Sequence, residues 1–509
     1  MKNLHLIVIF LICFSILMGI CPVQAQGNTW AEPVRLSIED GFSWFPSLAA
    51  DDYGLVHVVW SEAFDPYDTV VYTATSDGIN WLPTNDIISI MQTSGREATR
   101  PDLIINQTTS NLYLTYRYIW VYSAQANIQT ASTASNWISE GPLNDVQQVA
   151  YYSVSKFDTK NTQHILITWN TPTTSCDICY HVYYRNLPEG AIQWTSPLDI
   201  SISNTGTAKP KLIIDSNDNL HAVWETSDNG GGAYGSVRRP AHITYVNSTD
   251  GGNSWSEPVN FPPLDYESRN PAIVEDKNQN ILITWLGLSE DVVYYQILPG
   301  IGQEWSTPQP IPGVYGGFTR YNTLLDNYSM AVDSDGNVHL VLVGRTSLQQ
   351  VGLDILHLTW DGTNWSTPEV VASYTGDVPE WTQIAISNGN ILNVVWYVRD
   401  EEHIWDSDNG IYTIWYSRAI TSATDITPIP YPTGNPEAQT TVTPTIITTT
   451  LEQIASQTIP PPVPTNYVPL KGATYKETQY VQLLAIVLVP AALFVIGVTI
   501  LVLYKKRNR

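Results

Sequence analysis

Trp30-Ala31-Glu32-Pro33-Val34 opens the globular part of this chain, yet it has the form of an element that elsewhere closes a repeat. The same Trp-to-Pro step stands at Trp81-Leu82-Pro83, and further copies begin at Trp137, Trp194, Trp255, Trp305 and Trp365. Each later copy ends a unit of about 50 to 60 residues, a period that marks repeat architectures. A unit starts with a strand that often follows a Pro and ends near an acidic residue, as in Pro46-Ser47-Leu48-Ala49-Ala50-Asp51. After a polar turn comes an alternating strand that ends in an aromatic, Val56-His57-Val58-Val59-Trp60, and then a third strand, Val70-Val71-Tyr72-Thr73.

The second strand recurs at Leu112–Arg117, His164–Trp169, Leu220–Trp224, Ile281–Trp285, Val338–Val343 and Ile391–Trp396. The third recurs at Ile128–Ser132, Val182–Arg185, Ile243–Val246, Val292–Gln296, Ile355–Thr359 and Tyr412–Ser417. Both strands therefore occur seven times, whereas the closing element is missing after Tyr416 and stands at Trp30 instead. Two stacked sandwiches explain the strands but not this displacement. Short antiparallel strands in sevens predict an all-β, seven-bladed β-propeller, and a ring must cover its terminal sheet edges. The N-terminal strand Trp30–Ile38 is expected to complete the last blade and close the ring.

The composition agrees. Of 509 residues only 14% are charged, while 18 Trp, 29 Tyr and 33 Pro favour strands and turns over helices. The formal net charge is −24, and the five basic residues Lys2, Lys505, Lys506, Arg507 and Arg509 lie at the two ends, so the part between is more acidic still. Such a surface repels phosphate backbones and anionic lipid, which excludes nucleic acid as a partner. Four Cys are too few for a disulfide scaffold.

The ends carry targeting signals. Residues 1–25 read as a signal peptide, with Lys2, the apolar run Leu6–Ile20 and a small-residue site at Val23-Gln24-Ala25. Cys21 raises a lipoprotein alternative, but Ile20 before it is large. Residues 480–504 form an uncharged apolar stretch long enough to span a bilayer, and the basic tail 505–509 places that end in the cytoplasm. Residues 425–479 are rich in Thr and Pro and read as an extended stalk. The expectation is a propeller at 26–424, held outside the cell by a single-pass anchor.

Ser248-Thr249-Asp250-Gly251-Gly252-Asn253-Ser254-Trp255 fits the Asp-box, S-x-D-x-G-x-[ST]-W, and Ser76–Trp81 and Asp361–Trp365 look like shortened versions. On Ser248, Asp250, Gly252 and Trp255 the chain resembles the sialidase-like, Asp-box (BNR repeat) propeller superfamily. The resemblance implies the fold and says little of activity, because Asp-boxes lie opposite the sialidase active site. Sialidases also begin an inner strand with R-I-P, whose Arg holds the substrate carboxylate. Arg269-Asn270-Pro271 resembles it, Arg100-Pro101 is one residue shorter, and Lys209-Pro210 puts a cation at the equivalent place. Arg117, Arg345 and Arg399 end second strands, as do Glu62 and Glu225, and antiparallel order brings all of these to one mouth with Arg100, Lys209 and Arg269.

Arg100, Lys209, Arg269 and Arg345 there suit a bidentate grip on a carboxylate, with Glu225 and Glu62 as polar partners. The alternative is that each cation pairs with an acid of the protein. Sialidases have six blades and need a Tyr nucleophile paired with a Glu, plus an Asp acid. Here seven repeats are counted, Phe45-Pro46 stands where the first blade's R-I-P belongs, and 29 tyrosines single none out. Cys176 and Cys179 are spaced for a disulfide stapling a loop outside the cell. Asp215–Asn219 and Asp333–Asn337 have calcium-type residues but sit where hairpins turn, and no metal or cofactor is expected. His57, His221 and His339 recur at one structural position. The functional expectation is an extracellular glycan or glycoprotein ligand at the mouth, of undefined oligomeric state. An exo-acting glycosidase and a protein-interaction scaffold are the alternatives.

Overall fold

Valine, isoleucine, tyrosine and tryptophan alternate with small polar residues along each unit, and every unit folds into short antiparallel strands. In the computed structural model residues 29–430 are described, apart from 40, 65–66, 92–98, 121–122, 132–136, 146–147, 174–175, 203, 233–235, 262–266, 318–325 and 403–409. The segments expected to be a signal peptide, a membrane span, a basic tail and, beyond residue 430, a stalk lie outside the described residues. Among the described residues no helix is long and apolar enough to cross a membrane.

All regular structure among the described residues is β: five four-stranded sheets and one of eight strands. The larger sheet is two four-stranded groups. Phe42–Ala50 to Asn85–Met91 form one, and Val378–Ser387, Ile391–Arg399, Tyr412–Ile420 and Val34–Arg35 form the other. A single parallel bridge, Phe42 to Tyr412, joins them. The N-terminal segment supplies the outer strand of the last group. Val34 lies opposite Tyr416 and Arg35 opposite Trp415, and the Ala31 and Leu36 amides donate to the Arg418 and Ile414 carbonyls, each at 2.8 Å.

The first strands of the units are Phe42–Ala50, Asp102–Asn106, Ala150–Phe157, Gly206–Ile214, Ser268–Glu275, Ser329–Val332 and Val378–Ser387. Each touches the next, and Val378–Ser387 returns to Phe42–Ala50. The second strands lie between neighbouring sheets and are buried on both faces, as Leu220–Ser227 and Ile281–Gly287 are throughout. That explains their near-continuous apolar runs, and Trp60, Trp169, Trp224, Trp285 and Trp396 fill equivalent buried seats in them. The arrangement is that of a β-propeller.

In five units the Trp that opens the closing element packs on a ring of the preceding sheet. Trp81 meets Tyr416 (4.8 Å between ring centroids), Trp137 meets Tyr72 (6.3 Å), Trp255 meets Tyr184 (5.2 Å), Trp305 meets Tyr245 (5.1 Å) and Trp365 meets Tyr295 (5.9 Å). Trp30 has the same seat on His357, at 5.2 Å. In the turn before Trp255, Asp250 accepts the Ser254 amide (2.9 Å) and hydroxyl, and the Gly252 amide donates to Ser248 Oγ (2.9 Å). Gly251 and Gly252 both have positive φ there. Past the last strand the chain stays on the head, where Ile426 and Ile429 amides donate to Asn388 and Asp52 carbonyls.

Candidate functional site

Proline cannot donate to a sheet ladder and is tolerated on edge strands and at bulges. Pro46, Pro210 and Pro271 lie within first strands and Pro101 just before one, and the first strands face the axis. Ladder register slips between Trp44 and Ser47, Ala208 and Lys211, Arg269 and Ala272, and Glu380 and Gln383. The residue before each Pro has a positive φ: Phe45 (51°), Arg100 (44°), Lys209 (52°) and Asn270 (53°). Trp381 (60°), before a Thr, completes the set. Side chains other than Gly rarely adopt this conformation, and it recurs where a bulge re-aims a side chain. Asn270, not Arg269, is thus the equivalent of Arg100 and Lys209, and Arg269 stands one residue earlier in the strand.

The first strands enclose a cavity of about 160 Å³ at the hub, lined among others by Arg100, Tyr152, Lys209, Lys211, Tyr328 and Trp381. On one side lies a buried ion network. Lys209 Nζ is 3.2 Å from Glu225 Oε1 and donates to Asn270 Oδ1 at 2.6 Å. Arg269 reaches Glu225 Oε2 at 3.1 Å and also pairs with Glu267, which Arg239 holds from outside. Glu225 further accepts the Asn270 amide at 2.9 Å. Burial opposes its charge, but Lys209 and Arg269 outweigh burial and hold its carboxyl below the usual range. Arg345 pairs with Asp291 and donates to the Gly316 carbonyl at 2.9 Å. Glu62 accepts Ser43 Oγ and Trp60 Nε1, both at 2.9 Å.

Lys209, Arg269 and Arg345 thus have acidic partners of the protein's own. Arg100 packs on aromatic rings and donates to the Tyr151 carbonyl at 3.4 Å. Its guanidinium lies 4.7 Å from the Phe45 ring centroid, 4.4 Å from Tyr152 and 5.5 Å from Tyr151. Arg117, from the end of the neighbouring second strand, lies 4.1 Å from the same Tyr151 ring. Trp381 stacks on Tyr152 and meets Phe45 edge-on, and Tyr151 meets Tyr180 edge-on at 5.1 Å. Burial raises the Tyr180 hydroxyl's pKa, and Tyr151 adds to this while Arg117 and Arg100 oppose it. The two guanidiniums are buried among flat rings, a combination whose chemistry suits an anion beside a sugar face.

Of a second cluster the sequence pointed only to Arg399. Tyr397 donates to Glu380 Oε2 at 2.7 Å, and Arg399 Nε is 2.7 Å from the same oxygen. Nearby, burial raises the Asp326 carboxyl to about 8, Lys209 opposing and Glu380 adding to the shift. Asp326 accepts the Asn327 and Trp381 amides at 2.7 and 3.2 Å. A Tyr–Glu pair and an Asp that keeps its proton at neutral pH are the groups a retaining sialidase mechanism uses. They adjoin Arg399 rather than Arg269, and Tyr397 has no exposed surface. The missing signal was Trp381, which holds the pre-proline place without a Pro after it. Cys176 and Cys179 are joined in a disulfide.

No family model matches the chain, and no curated protein matches its sequence. Solved structures share the fold. An ulvan lyase, described as a new family of polysaccharide lyase, aligns at a TM-score of 0.50 and 10% identity, over 75% of this chain and 95% of that one. The same enzyme bound to -[GlcA(1-4)Rha3S]- aligns equally well at 9% identity, over 75% and 95%. A protein of unknown function from Dyadobacter fermentans reaches 0.46 at 11% identity, over 78% and 99%. At such identities the likeness to the lyase shows a common fold and nothing about the site.

Proposed function

We propose that this chain is a seven-bladed propeller, latched by its N-terminal strand, that binds acidic extracellular glycans at the mouth of its hub. The pairing of Val34–Arg35 with the last unit and the circular contact of the first strands support the latch and the count of seven. The apolar 480–504 stretch and the tail Lys505–Arg509 support a single-pass anchor, with 425–479 as stalk. One observation carries the binding reading: Arg100 and Arg117 share the Tyr151 ring beside Phe45, Tyr152 and Trp381. That a lyase of the same fold binds -[GlcA(1-4)Rha3S]- agrees with an acidic sugar as ligand.

The second reading is an exo-acting glycoside hydrolase of sialidase type, favoured by the Tyr397–Glu380 pair and by protonated Asp326. Full burial of Tyr397 makes it the weaker one. Glycan-array binding and a fluorogenic sialoside assay on the whole chain test both. Binding to uronate- or sialate-bearing glycans is expected, and Arg100→Ala with Arg117→Ala abolishes it. Sialoside hydrolysis lost in Tyr397→Phe would replace binding by catalysis. A blank in both assays would leave a protein-interaction scaffold.

A further inference from the structure

We propose that the hub channel, below the Arg100–Arg117 surface, holds a tetrahedral oxyanion of the sulfate or phosphate type between Lys156 and Lys211. Lysine is scarce here: between residues 29 and 430 there are only Lys156, Lys160, Lys209, Lys211 and Lys277. Three of these, Lys156, Lys209 and Lys211, line the one cavity, in a protein of net charge −24. Random placement on an acidic surface would scatter lysines among surface carboxylates; here they converge on the axis.

The channel is rich in donors. Lys209 is met by Glu225 and Asn270, so its charge is cancelled locally. Lys211 donates to Asn327 Oδ1. The carboxylate that Lys156 and Lys211 share is Asp102, which accepts the Ser155 amide at 3.1 Å. Burial raises the Asp102 pKa against the pull of the two lysines, which weakens it as a counter-ion. The Tyr152 hydroxyl lines the same cavity, is buried, and has no hydrogen-bond partner among the described residues. An unpaired buried hydroxyl is costly, and an oxyanion supplies it with an acceptor while neutralising the two ammonium groups.

Burial, with Lys209 and Lys156 adding to it and Asp102 and Asp326 opposing, lowers Lys211 to about 7. An anion binds the protonated amine, so affinity is expected to fall as pH rises through about 7. The anion's source is either the free ion or a sulfate or phosphate ester on a sugar, and both present the same oxygens.

The test is thermal unfolding of the whole chain in millimolar sodium sulfate or phosphate, with ionic strength held by chloride. A saturable rise of several degrees is expected for the wild type and none for Lys156→Met with Lys211→Met. Sulfate stabilises proteins generally, but that effect acts on both chains alike. An equal rise in the double variant, or no rise with the free ions and with a sugar sulfate, overturns the proposal. A rise with the sugar sulfate alone, lost in the double variant, assigns the site to the ester. Arg117→Ala weakens acidic-glycan binding at the mouth and leaves the oxyanion response intact, so the two readings fail separately.

Discussion

At the scale of single residues the hub holds a buried ion network and, apart from it, two buried guanidiniums that lie on ring faces. Glu225 holds two cations and a backbone amide with no surface exposed to water beyond a trace. Removing one member of a buried network strands the others, which costs about 3–5 kcal/mol. Glu225→Gln is therefore expected to lower the urea midpoint steeply, whereas Arg100→Ala, which removes contacts with ring faces, lowers it far less and acts on ligand binding. Equal stability losses in the two variants would contradict this division. The sequence put Lys209, Arg269 and Glu225 on one face through strand direction alone. It did not tell which cation finds an acid, because that depends on bulges and positive φ at Lys209 and Asn270, which spacing does not encode.

At the scale of the element, one device recurs on the face away from the mouth. Asp51, Asp158, Asp215 and Asp333 close the first hairpins, each taking turn amides on Oδ1. Each offers Oδ2 to the His six residues on: His57, His164, His221 and His339, at 3.1 to 3.3 Å. In three units the other ring nitrogen faces a Tyr hydroxyl at 2.7 Å: Tyr72, Tyr184 and Tyr245. The recurring His was legible in sequence; the Asp six residues before it was the signal that named its partner. Tyr245→Phe is expected to cost about 1–2 kcal/mol in chemical denaturation by leaving His221 Nδ1 without a donor.

Protonation acts on the same device. Burial lowers the pKa of His164 and His221 despite their Asp partners, so the folded state prefers neutral rings. The unfolded chain takes up those protons near 6.5, and stability is expected to fall as pH drops below that value. Asp215 and Asp333 add to the loss further down. Burial opposes their ionisation, but the bonds from Asn219 and His221, and from His339 and Asn337, hold both below the usual carboxylate range. Their stabilising share vanishes as pH falls through those lowered values. Denaturation midpoints at pH 7 and near pH 5 check this, and a flat profile contradicts it. In the sixth unit, that of His339, His357 replaces the Tyr: it faces His339 at 2.9 Å and Glu369 at 2.9 Å. The contacts from Asp333 through both rings to Glu369 need three protons, and two neutral imidazoles carry two. His357→Tyr would give His339 Nδ1 a hydroxyl donor and drop the contact with Glu369, so two protons serve two contacts, and it is expected to leave the chain as stable at pH 7 with a shallower dependence on pH.

At the scale of the molecule, a ring has one junction that covalent connectivity does not make, where the chain's two ends meet. A bridge joins Phe42 to Tyr412 there, and the N-terminal segment adds its own pairing with the last sheet. Trp30 sits on His357, its indole donates to Glu369 at 3.3 Å, and Ser37 Oγ accepts the Ile414 amide at 3.0 Å. The displaced Trp-to-Pro element made this junction legible. The rings it packs on were not, since they come from the unit before the one it completes. Deleting residues 26–39 would bare the edge of Tyr412–Ile420, an open template for other strands. The expected result is a lower, broader thermal transition and concentration-dependent aggregation. A synthetic peptide spanning residues 30–38 should restore the midpoint in trans by adding the missing strand, and a Trp30→Ala peptide should do so less well. If the truncated chain unfolds at the same temperature, or ignores the peptide, the N-terminal strand is a passenger and the ring closes by other contacts.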